Sequence, residues 1–517
     1  MRPDSPPSET FDLAVIGGGI NGCGIAADAA GRGLSVLLLE RDDLASGTSS
    51  ASSKLIHGGL RYLEHYAFRL VAESLAEREM LLANAPHIIW PMRFVVPHAP
   101  GMRSRLLMRT GLLLYDNLAR RRRIPGSGSI ELASDPAGRA LAQHLDHGFT
   151  YWDCWVDDAR LVVLVALQAA AQGARVVTRH AVTSAVAESG GWLLTASDDL
   201  GAVSQFRARM LVNAAGPWAG RVAADVIRRG SPAGQALAVR LVKGSHIVVP
   251  RIVGADDAYL LQAHDGRVVF LLPFAQRFTL IGTTDVPYSG DPTDVRVSGE
   301  EESYLLGVAN AFVRTPLTGA HIVWRFAGVR PLDDDGSESA SKVSRDYRLA
   351  LDAPGGSAPP LLLVVGGKVT TYRRLAEAAV DLLAPHAPRP LRPSWTAHAP
   401  LPGGDIPEAD FEAFARDALA GHRALPTDVI MGLLRRHGTR AENILAGARN
   451  VDDLGRDLGG GLTEREARYL IDHEWAKTPA DILWRRTKAG LAMTSELRRE
   501  AEAHLASLIA GSDGRAT

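Results

Sequence analysis

The sequence predicts an α/β protein with a Rossmann-like nucleotide-binding domain, a mainly antiparallel β-sheet domain and an all-helical C-terminal domain. Three observations support this fold class. A buried strand, a glycine cluster, a helix and a second buried strand follow one another near the N-terminus. The strand–turn–helix pattern returns twice, at 211–220 and 361–383, and helical periodicity dominates after residue 409. A length of 517 residues leaves room for these domains.

The N-terminal unit carries a nucleotide-binding pattern. FDLAVI, residues 11–16, and LSVLLLE, residues 34–40, both indicate buried strands, and the second ends at Glu40. Between them Gly17, Gly19 and Gly22 follow G-x-G-x-x-G spacing, which permits a tight turn, a close approach of the backbone to a pyrophosphate, and packing of the helix on the strand. Glu40 can accept hydrogen bonds from a ribose 2′-OH. A turn that binds nothing can contain the same glycines, but the flanking strands and the terminal acid favour a bound dinucleotide.

The rest of the chain favours FAD over NAD. After Glu40 a Ser- and Gly-rich loop, residues 41–65, interrupts the βα succession, and the chain returns to the nucleotide fold only later. A nucleotide fold assembled from separated segments is typical of two-domain flavin oxidoreductases, so we expect an FAD-binding domain. Thr370 or Thr371 can cap the helix of the last unit. Besides the first turn and Glu40, the residues predicted to contact the cofactor are Thr48, Ser49, Ser53, Gly58, Gly216, Gly366, Gly367, Thr370 and Thr371.

Composition excludes several classes of protein. The formal net charge is −1, which gives no overall attraction to nucleic acid. The two cysteines, Cys23 and Cys154, lack metal-like spacing, so we expect neither a disulfide framework nor a metal site. The N-terminal segment lacks the apolar core of a signal peptide, and no apolar run is long enough to span a bilayer. We therefore expect a cytoplasmic protein or one attached to a membrane surface.

Several long motifs carry a family resemblance. They include GGGINGCGIAADAAGRGLSVLLLE, TSSASSKLIHGGLRYLEH, YWDCWVDDARLV, KGSHIVVPR, IGTTDV, GVRPL, GGKVTTYR and DHEWAKTPADILWRRTKAGL, spread from about residue 11 to residue 500. With them the chain resembles the FAD-dependent glycerol-3-phosphate dehydrogenases of the aerobic, membrane-associated bacterial type. The resemblance implies oxidation of sn-glycerol 3-phosphate to dihydroxyacetone phosphate in glycerol metabolism, with hydride transfer to FAD and electrons passed to membrane quinone. It also implies a homodimer attached peripherally to the inner face of the cytoplasmic membrane.

The same resemblance suggests which residues bind the substrate. Arg330 in GVRPL and Lys368 in GGKVTTYR are the leading candidates for the phosphate, and Arg61 and Tyr62 are the next. The guanidinium of arginine matches phosphate oxygens as a planar fork, whereas lysine acts as a point charge. The alternative is that Arg330 and Lys368 are helix-capping or ion-paired surface residues.

Two histidines are candidates for the base that removes the alcohol proton. His57 directly precedes Gly58 and Gly59, whose turn would bring the backbone close to a flat ring, and His246 begins an alternating strand. The choice between them stays open, and Arg330 joins both as a catalytic candidate. Residues 283–285 end a predicted strand and can line the pocket or simply form a turn.

Residues 103–123 form a predicted helix of mixed character. Leucines and Met108 mix with arginines in its first half, and four consecutive arginines close it. This composition suits an interfacial helix on an anionic membrane, and it also suits a core-facing helix capped by its arginines. The resemblance favours the membrane. A nucleic-acid role is weak because no aromatic residues interleave with the arginines.

These observations divide the chain into domains. Residues 11–65, 150–235 and 345–384 form a discontinuous FAD-binding domain, and 66–149 with 236–344 form the substrate domain. In the latter, HIVVPR, RVVFLLPF and RFTLIGTTDV indicate successive strands. Proline-rich residues 385–408 indicate a linker, and 409–511 form the helical domain, whose WRRTKAGL motif has no role that the sequence defines.

The sequence leaves two other functions open. One is a glycerophosphate oxidase or an amine-oxidising flavoenzyme of the same architecture, although an amine substrate would not need Lys368 and several arginines. The other is a flavin-holding or membrane-surface binding protein without turnover. A base beside a phosphate clamp argues against that second possibility.

Overall fold

The structure, a computed structural model, describes residues 9–99, 101–228, 239–334, 346–353 and 358–513. Within them, two large β-sheets lie side by side and a helical domain follows. In chain order the strands are β1 (Thr10–Ile16), β2 (Val36–Leu39), β3 (Leu55–Ile56), β4 (Ile89–Pro97), β5 (Gly128–Glu131), β6 (His147–Val156), β7 (Arg175–Val177), β8 (His180–Glu188), β9 (Gly191–Asp198), β10 (Val203–Asn213), β11 (Ile227–Arg228), β12 (Val239–Pro250), β13 (Ala258–Gln262), β14 (Val268–Phe274), β15 (Phe278–Gly282), β16 (Val286–Pro287), β17 (Trp324–Asp333), β18 (Arg348–Asp352), β19 (Leu361–Val365), β20 (Asp457–Gly459) and β21 (Leu462–Thr463). The α-helices are α1 (Ile20–Gly31), α2 (Phe68–Asn84), α3 (Arg105–Asn117), α4 (Asp158–Ala171), α5 (Ala219–Arg221), α6 (Gly299–Asn310), α7 (Tyr372–Leu383), α8 (Phe411–Gly421), α9 (Thr427–His437), α10 (Glu442–Leu445), α11 (Glu464–His473) and α12 (Ser495–Asp513).

The first sheet is the nucleotide-binding sheet. Strand β1 lies between β2 and β10, parallel to both, and β19 continues the parallel arrangement beside β10. Helices α1, α4 and α7 share one apolar core with these strands, because small residues of α1 allow close packing. The carboxyl ends of β1, β2, β10 and β19 therefore meet at one edge, where ligands bind in folds of this kind. The predicted Rossmann-like fold is confirmed.

The second sheet is mainly antiparallel, as predicted. Strand β12 pairs antiparallel with β15 and β17, and β14 pairs antiparallel with β13 and β15. The pairing of β13 with β4 is parallel. Helix α6 packs its apolar side on one face of this sheet, and an aromatic-rich cluster covers the other.

The C-terminal domain is helical and has its own apolar core, formed by α8 to α12 and the turns between them. It is not purely helical, since β20 and β21 form a short antiparallel ribbon. Two glycines with positive φ, Gly460 and Gly461, make the tight turn that joins the two strands. Such a short ribbon leaves too little periodicity in the sequence to be predicted.

The segment predicted as a linker, residues 385–408, is packed against the nucleotide-binding domain. The Trp395 ring covers Gly31, where a Cβ atom would lie 2.1 Å from the indole. The backbone N–H of Leu401 donates to the carbonyl of Asn84 at 2.9 Å. Its prolines therefore belong to a fixed, extended connection and not to a loose tether.

The domain bounds differ from the predicted ones at two places. Strands β3 and β6 belong to the second sheet, where Leu55 faces Trp155 and Ile56 faces Cys154, whereas the sequence placed 55–56 and 150–156 in the nucleotide-binding domain. The pairing joins segments about a hundred residues apart, which local periodicity does not reveal. The predicted bounds at 235–236 and 344–345 lie outside the described residues.

Candidate active site

A cavity of about 370 Å³ lies between the carboxyl edge of the first sheet and the second sheet. One wall consists of the glycine turns after β1, β10 and β19, together with Glu40. A second part of the lining contains His57, Tyr62, Arg330 and Lys368, which come from three separate chain segments. We refer to these as the glycine wall and the charged wall.

The first turn of the glycine wall needs glycine for steric reasons. Gly17 has φ +114°, and a Cβ atom there would lie 2.6 Å from the carbonyl oxygen of Ala214. A Cβ atom on Gly22 would lie 1.9 Å from the carbonyl oxygen of Gly17, so Gly22 lies behind the turn and allows α1 to pack on it. Gly19 lines the cavity at the N-terminus of α1, where helix N–H groups favour an anion. Gly17 and Gly19 therefore lie at the cavity and Gly22 behind it, and their contact with a pyrophosphate stays a prediction.

Glu40 lies in the same wall, at the end of β2. Its Oε2 accepts the backbone N–H of Gly18 at 2.6 Å, and its Oε1 accepts that of Asp42 at 2.7 Å. Burial raises the pKa of this carboxyl, although the two backbone hydrogen bonds oppose the shift. A carboxylate has further lone pairs, so Glu40 can still accept a ribose hydroxyl.

The loop after Glu40 contributes three of its four predicted residues to the wall. Thr48, Ser49 and Ser53 line the cavity, and the hydroxyl of Thr48 donates to the carbonyl of Val329 at 2.5 Å. Gly58 does not line it. The N–H of Gly58 points to the hydroxyl of Tyr115 at 2.9 Å, and a Cβ atom there would lie 2.5 Å from that hydroxyl. Gly58 thus permits close packing against α3 instead of facing the cavity.

The residues predicted in the later turns line the cavity, except Thr371. Gly216, Gly366 and Gly367 line the cavity with φ values of +56°, +76° and +90°. Thr370 also lines it, and its Oγ1 accepts the backbone N–H of His57 at 3.2 Å. Thr371 is buried behind the wall. It occupies the N-cap position of α7, but within the described residues its side chain makes no capping hydrogen bond, so the predicted cap is wrong.

In the charged wall, neighbouring side chains contact the residues that are predicted to bind the phosphate. One nitrogen of Arg330, Nη1, donates to Asp285 Oδ1 at 2.6 Å, and Nη2 donates to Thr283 Oγ1 at 3.2 Å. The Nζ atom of Lys368 lies 4.0 Å from the centroid of the Tyr62 ring, a cation–π contact. The side chain of Arg61 lies outside the described part of the structure. Arg330, Lys368 and Tyr62 therefore meet at one cavity, whereas a surface role would have scattered them.

Residues 283–285, left open between pocket and turn, divide between the two. Thr283 lines the cavity. Thr284 is buried and donates to Glu301 Oε1 at 2.8 Å. Asp285 forms the ion pair with Arg330, with 11 % of its side chain exposed. This short segment therefore orients the Arg330 guanidinium from two sides.

The two histidines occupy different positions. His57 lines the cavity beside Thr370. His246 is buried behind the wall, with its Nε2 3.0 Å from Ser53 Oγ and its ring stacked on Phe326 at 4.8 Å. Burial, with Arg330 and Lys54 nearby, holds the pKa of His246 well below its ordinary value. Of the two candidates, His57 is therefore the one that lines the cavity.

Several cavity residues were not predicted from the sequence. Trp218 lines the glycine wall and carries the Arg41 guanidinium 4.9 Å from its ring centroid. Asn21 donates to the carbonyl of Gly366 at 3.1 Å, and Phe270 reaches the cavity from β14. Trp218 follows the Gly216–Pro217 turn directly, so its position in the sequence offered a signal. For Phe270, the alternation of side chains along its strand was the one signal in the sequence.

The glycine wall fits an FAD molecule. The glycines at its turns leave open space that a Cβ atom would fill. A helix N-terminus supplies N–H groups, and Glu40 supplies an acceptor for a hydroxyl group. Turns after three separate strands, β1, β10 and β19, line the cavity together, which is more than a single nucleotide turn would supply. No His, Cys, Asp or Glu cluster suited to a metal occurs in the described residues.

Comparison with known families agrees with this arrangement. Residues 12–373 match the family described as FAD dependent oxidoreductase, and residues 394–512 match the C-terminal domain of alpha-glycerophosphate oxidase. Together these matches span both sheets and the helical domain. The second match begins inside the packed connection and not after it.

Individual proteins are also similar to this chain. A glycerol-3-phosphate dehydrogenase of Pseudomonas aeruginosa is 51% identical, over 95% of this chain and 94% of that protein. A D-erythritol 1-phosphate dehydrogenase of Brucella abortus is 50% identical, over 95% and 96%. The crystal structure of a glycerol-3-phosphate dehydrogenase from Bacillus halodurans complexed with FAD has a TM-score of 0.72 and 26% identity, covering 97% of this chain and 94% of that one.

Proposed function

This chain belongs to the FAD-dependent oxidoreductase family, and on that basis we propose that it oxidises sn-glycerol 3-phosphate to dihydroxyacetone phosphate. FAD, when bound, supplies the acceptor for the hydride that leaves C2 of the substrate. The observation that carries the proposal is that Arg330, Lys368 and His57 line one cavity with the glycine wall. The similarity to the Pseudomonas aeruginosa enzyme supports the same substrate class.

Arg330 and Lys368 bind the phosphate in this proposal. Asp285 and Thr283 hold one guanidinium in place, so Arg330 loses little freedom when a phosphate binds. Lys368 is held over the Tyr62 ring and adds a point charge. Each charge-assisted hydrogen bond contributes roughly 1.5–3 kcal/mol, so two or three of them discriminate strongly against unphosphorylated glycerol.

His57 acts as the general base. The secondary alcohol loses two hydrogens: its hydroxyl proton passes to a neutral His57 ring nitrogen, while the C2 hydrogen leaves as hydride with its electron pair. The C–O bond becomes the carbonyl of the product, so atoms and electrons balance. The backbone of His57 is fixed by its hydrogen bond to Thr370, which helps to hold the imidazole at the cavity. His246 supports the wall from behind through Ser53.

We also propose that α3 attaches the protein to an anionic membrane, from which quinone takes the electrons. Leu106, Leu107, Leu113 and Leu114 are exposed on this helix, and Leu106 has 79% of its surface exposed. A core-facing helix would bury these leucines, whereas its buried residues are Leu112, Tyr115 and Asp116. Arginines 120–123 follow the exposed leucines. An apolar face beside a cationic segment suits a surface of acidic headgroups.

Within the described residues, none of the helices combines the length and the apolar character that a bilayer crossing requires. The attachment that we propose, as the resemblance implies, is peripheral and on the cytoplasmic face of the cytoplasmic membrane. The homodimer implied by the resemblance stays a prediction.

D-erythritol 1-phosphate is the second candidate substrate. A relative with that activity in its name is as similar as the glycerol-3-phosphate dehydrogenases, and the same phosphate clamp would serve either compound. The two substrates differ by one hydroxylated carbon at the end away from the phosphate. Only a direct comparison separates them.

The test is anaerobic reduction of the purified, flavin-loaded protein. We expect sn-glycerol 3-phosphate to bleach the visible flavin band, and glycerol to leave it unchanged at the same concentration. Faster bleaching by D-erythritol 1-phosphate would reassign the substrate. A flavin band that responds to neither phosphate would refute the proposed reaction.

The membrane proposal has a separate test. Replacement of Arg120 to Arg123 by serine should release the protein from vesicles of anionic phospholipid in a sedimentation assay. The same protein should bind neutral phosphatidylcholine vesicles weakly with or without these changes. Equal binding of the variant and the unaltered protein to anionic vesicles would remove this segment from the membrane surface.

A further inference from the structure

The WRRTKAGL motif, which had no role in the sequence, docks on the nucleotide-binding domain. Arg486 is buried and donates to both carboxylate oxygens of Asp43, at 2.7 and 2.8 Å. Arg485 donates to the same carboxylate at 2.5 Å. Asp43 lies three residues after Glu40, in the loop that leads into the cavity wall. The C-terminal domain is thereby fixed to the loop after β2.

The same motif reaches His246 through aromatic rings. Trp484 stacks on Trp324 with 5.3 Å between ring centroids, Trp324 contacts Phe326 at 4.8 Å, and Phe326 stacks on His246 at 4.8 Å with an angle of 11°. Trp324 and Phe326 are two residues apart on β17, so their side chains lie on one face of the sheet. On its other side, Trp484 carries the Arg498 guanidinium at 5.2 Å. Four rings thus run continuously from the helical domain to the back of the cavity wall.

The His246 ring is confined between two strands. Gly282 and Phe326 are its cross-strand neighbours on β15 and β17. A Cβ atom on Gly282 would lie 2.1 Å from the His246 ring, so the ring already covers the Gly282 backbone. It can move only if Phe326 moves. The position of Phe326 therefore fixes His246, and His246 fixes the hydroxyl of Ser53 in the cavity wall.

A second set of contacts, which begins at Lys488, supports the loop after β2 at residues 52–54. Lys488 donates to Asp157 Oδ1 at 2.5 Å. The next residue, Asp158, accepts Lys54 Nζ at 2.9 Å and Ser52 Oγ at 2.7 Å, so residues 52 and 54 on either side of Ser53 are both bound to one carboxylate. Lys54 and Asp158 are completely buried. The C-terminal motif therefore supports Ser53 both through the ring stack and through this ion-pair network.

We propose that Trp484 is a positioning residue for the oxidation reaction, acting through Trp324, Phe326 and His246 on Ser53 in the cavity wall. This inference rests on the proposed function. Trp484 does not line the cavity, so we expect its loss to shift Ser53 slightly and to slow the chemical step more than it weakens the binding of substrate or FAD. A misplacement of about 1 Å at a catalytic site can cost roughly 100-fold in rate.

The first experiment compares Trp484→Leu with Trp90→Leu in the flavin-loaded full chain. Trp90 is a matched control, because its ring also contacts the helical domain, through Arg435 at 4.7 Å. It joins the stack only at Trp324, through Trp155 and Phe274 at centroid distances of 6.0, 5.7 and 6.4 Å, so its loss leaves the contacts from Trp484 to His246 in place. We expect Trp484→Leu to slow flavin reduction by sn-glycerol 3-phosphate roughly 10- to 100-fold, with KM and flavin content within about twofold of the unaltered protein. Trp484→Phe should restore most of the rate, and Trp90→Leu should retain it.

A double-mutant cycle tests the route. In a His246→Gln background, Trp484→Leu should cause no further loss of rate, because both changes act on the same hydroxyl. Additive losses would overturn the proposal, and so would a full rate in Trp484→Leu or an equal loss in Trp90→Leu. If Trp484→Leu fails to fold or to retain FAD, Phe326→Leu breaks the same stack without altering the helical domain. A full rate in that variant would overturn the proposal.

A measurement without turnover separates this inference from the proposed function. With histidine labelled with ¹³C at Cε1, the His246 signal is identified by its loss in His246→Gln. Stacking on Phe326 gives this signal a ring-current shift, which should change in Trp484→Leu and Phe326→Leu and stay unchanged in Trp90→Leu. An unchanged His246 signal in Trp484→Leu would overturn the positioning role even if substrate reduces the flavin. If no phosphate ester reduces the flavin, the proposed function fails, and the signal still decides whether Trp484 holds His246.

Discussion

The glycine wall and the charged wall enclose the same cavity but are built in different ways. The glycine wall is made of backbone, at turns where a side chain would collide with a carbonyl oxygen, as at Gly17 and Gly22. The charged wall is made of side chains, each oriented by a neighbour, as Arg330 is by Asp285 and Lys368 is by Tyr62. A change in the first wall should therefore alter cofactor binding, and a change in the second should alter the reaction.

From this difference we expect the two walls to tolerate substitution differently. A backbone turn has no conservative replacement when a Cβ atom has no space, because the neighbouring carbonyl cannot move without the strand that carries it. A side-chain wall can keep part of its function when a related residue replaces the original. The variants below are ordered from the largest expected effect to the smallest.

Gly22→Ala should have the largest effect, because its Cβ atom would lie 1.9 Å from the carbonyl oxygen of Gly17 and force the turn apart. We expect the purified variant to retain almost no FAD, as read from the ratio of visible to ultraviolet absorbance. Gly307→Ala in α6 is the matched control, since nothing lies within 4 Å of the added Cβ atom there. Normal flavin content in Gly22→Ala would mean that the glycine wall is more adaptable than its geometry indicates.

His57→Asn should have the next largest effect, and on the reaction alone. Loss of a general base typically costs roughly 100- to 10,000-fold, so flavin reduction should slow by that factor while KM and flavin content change little. Rapid-mixing absorbance under anaerobic conditions measures the rate. A normal rate in this variant would transfer the role of base away from His57. The buried position of His246 makes it a poor substitute.

Arg330→Ala should raise KM for the phosphate ester roughly 10- to 200-fold, corresponding to the loss of about 1.5–3 kcal/mol. Part of this loss comes from leaving Asp285 without its cation. Arg330→Lys keeps the positive charge but loses the planar guanidinium fork. Its KM should therefore lie between those of the unaltered protein and Arg330→Ala. Steady-state kinetics with an artificial electron acceptor give both values. If KM stays constant and the variant loses flavin instead, Arg330 contributes to cofactor binding and not to substrate binding.

Glu40→Gln should have the smallest effect. The amide still fills the space and can accept one of the two backbone hydrogen bonds now made by Oε1 and Oε2, so the loss is about 1 kcal/mol, or roughly fivefold in Kd for FAD. Fluorescence titration of the flavin-free protein with FAD measures this change. A loss above a hundredfold would show that the charge of Glu40, and not only its hydrogen bonds, holds the cofactor.

The sequence predicted the glycine wall better than the charged wall. Gly17, Gly19, Gly22 and Glu40 lie within one continuous βαβ unit, so their spacing fixes their relative positions. The match of the chain to the FAD-dependent oxidoreductases confirms the fold class that this unit implied. Gly58 was misplaced because a glycine can serve a turn toward the cavity or close packing away from it, and spacing does not distinguish the two.

The loop after Glu40 and the charged wall depend on contacts between distant segments. Ser53 and His246 are 193 residues apart, and Thr48 and Val329 are 281 apart, so no local pattern joins them. The motif at 484–488 was visible in the sequence, but its bonds to Asp43 and Asp157 cross from one domain to another. Family resemblance supplied Arg330 and Lys368, and the structure supplied the partners that orient them.

The first sheet joins strands that are far apart in the sequence, and this affects how the chain folds during its synthesis. The parallel core joins β1, near residue 10, to β10 and then to β19, which ends at Val365. The glycines that follow β19 complete the cavity, and the segment that clamps Asp43 lies more than a hundred residues later. Contacts this distant form slowly and cannot form until the ribosome has made the last strand. We therefore expect the nascent chain to expose the unpaired edge of β10 until β19 has been made, and to complete the FAD site only after that point.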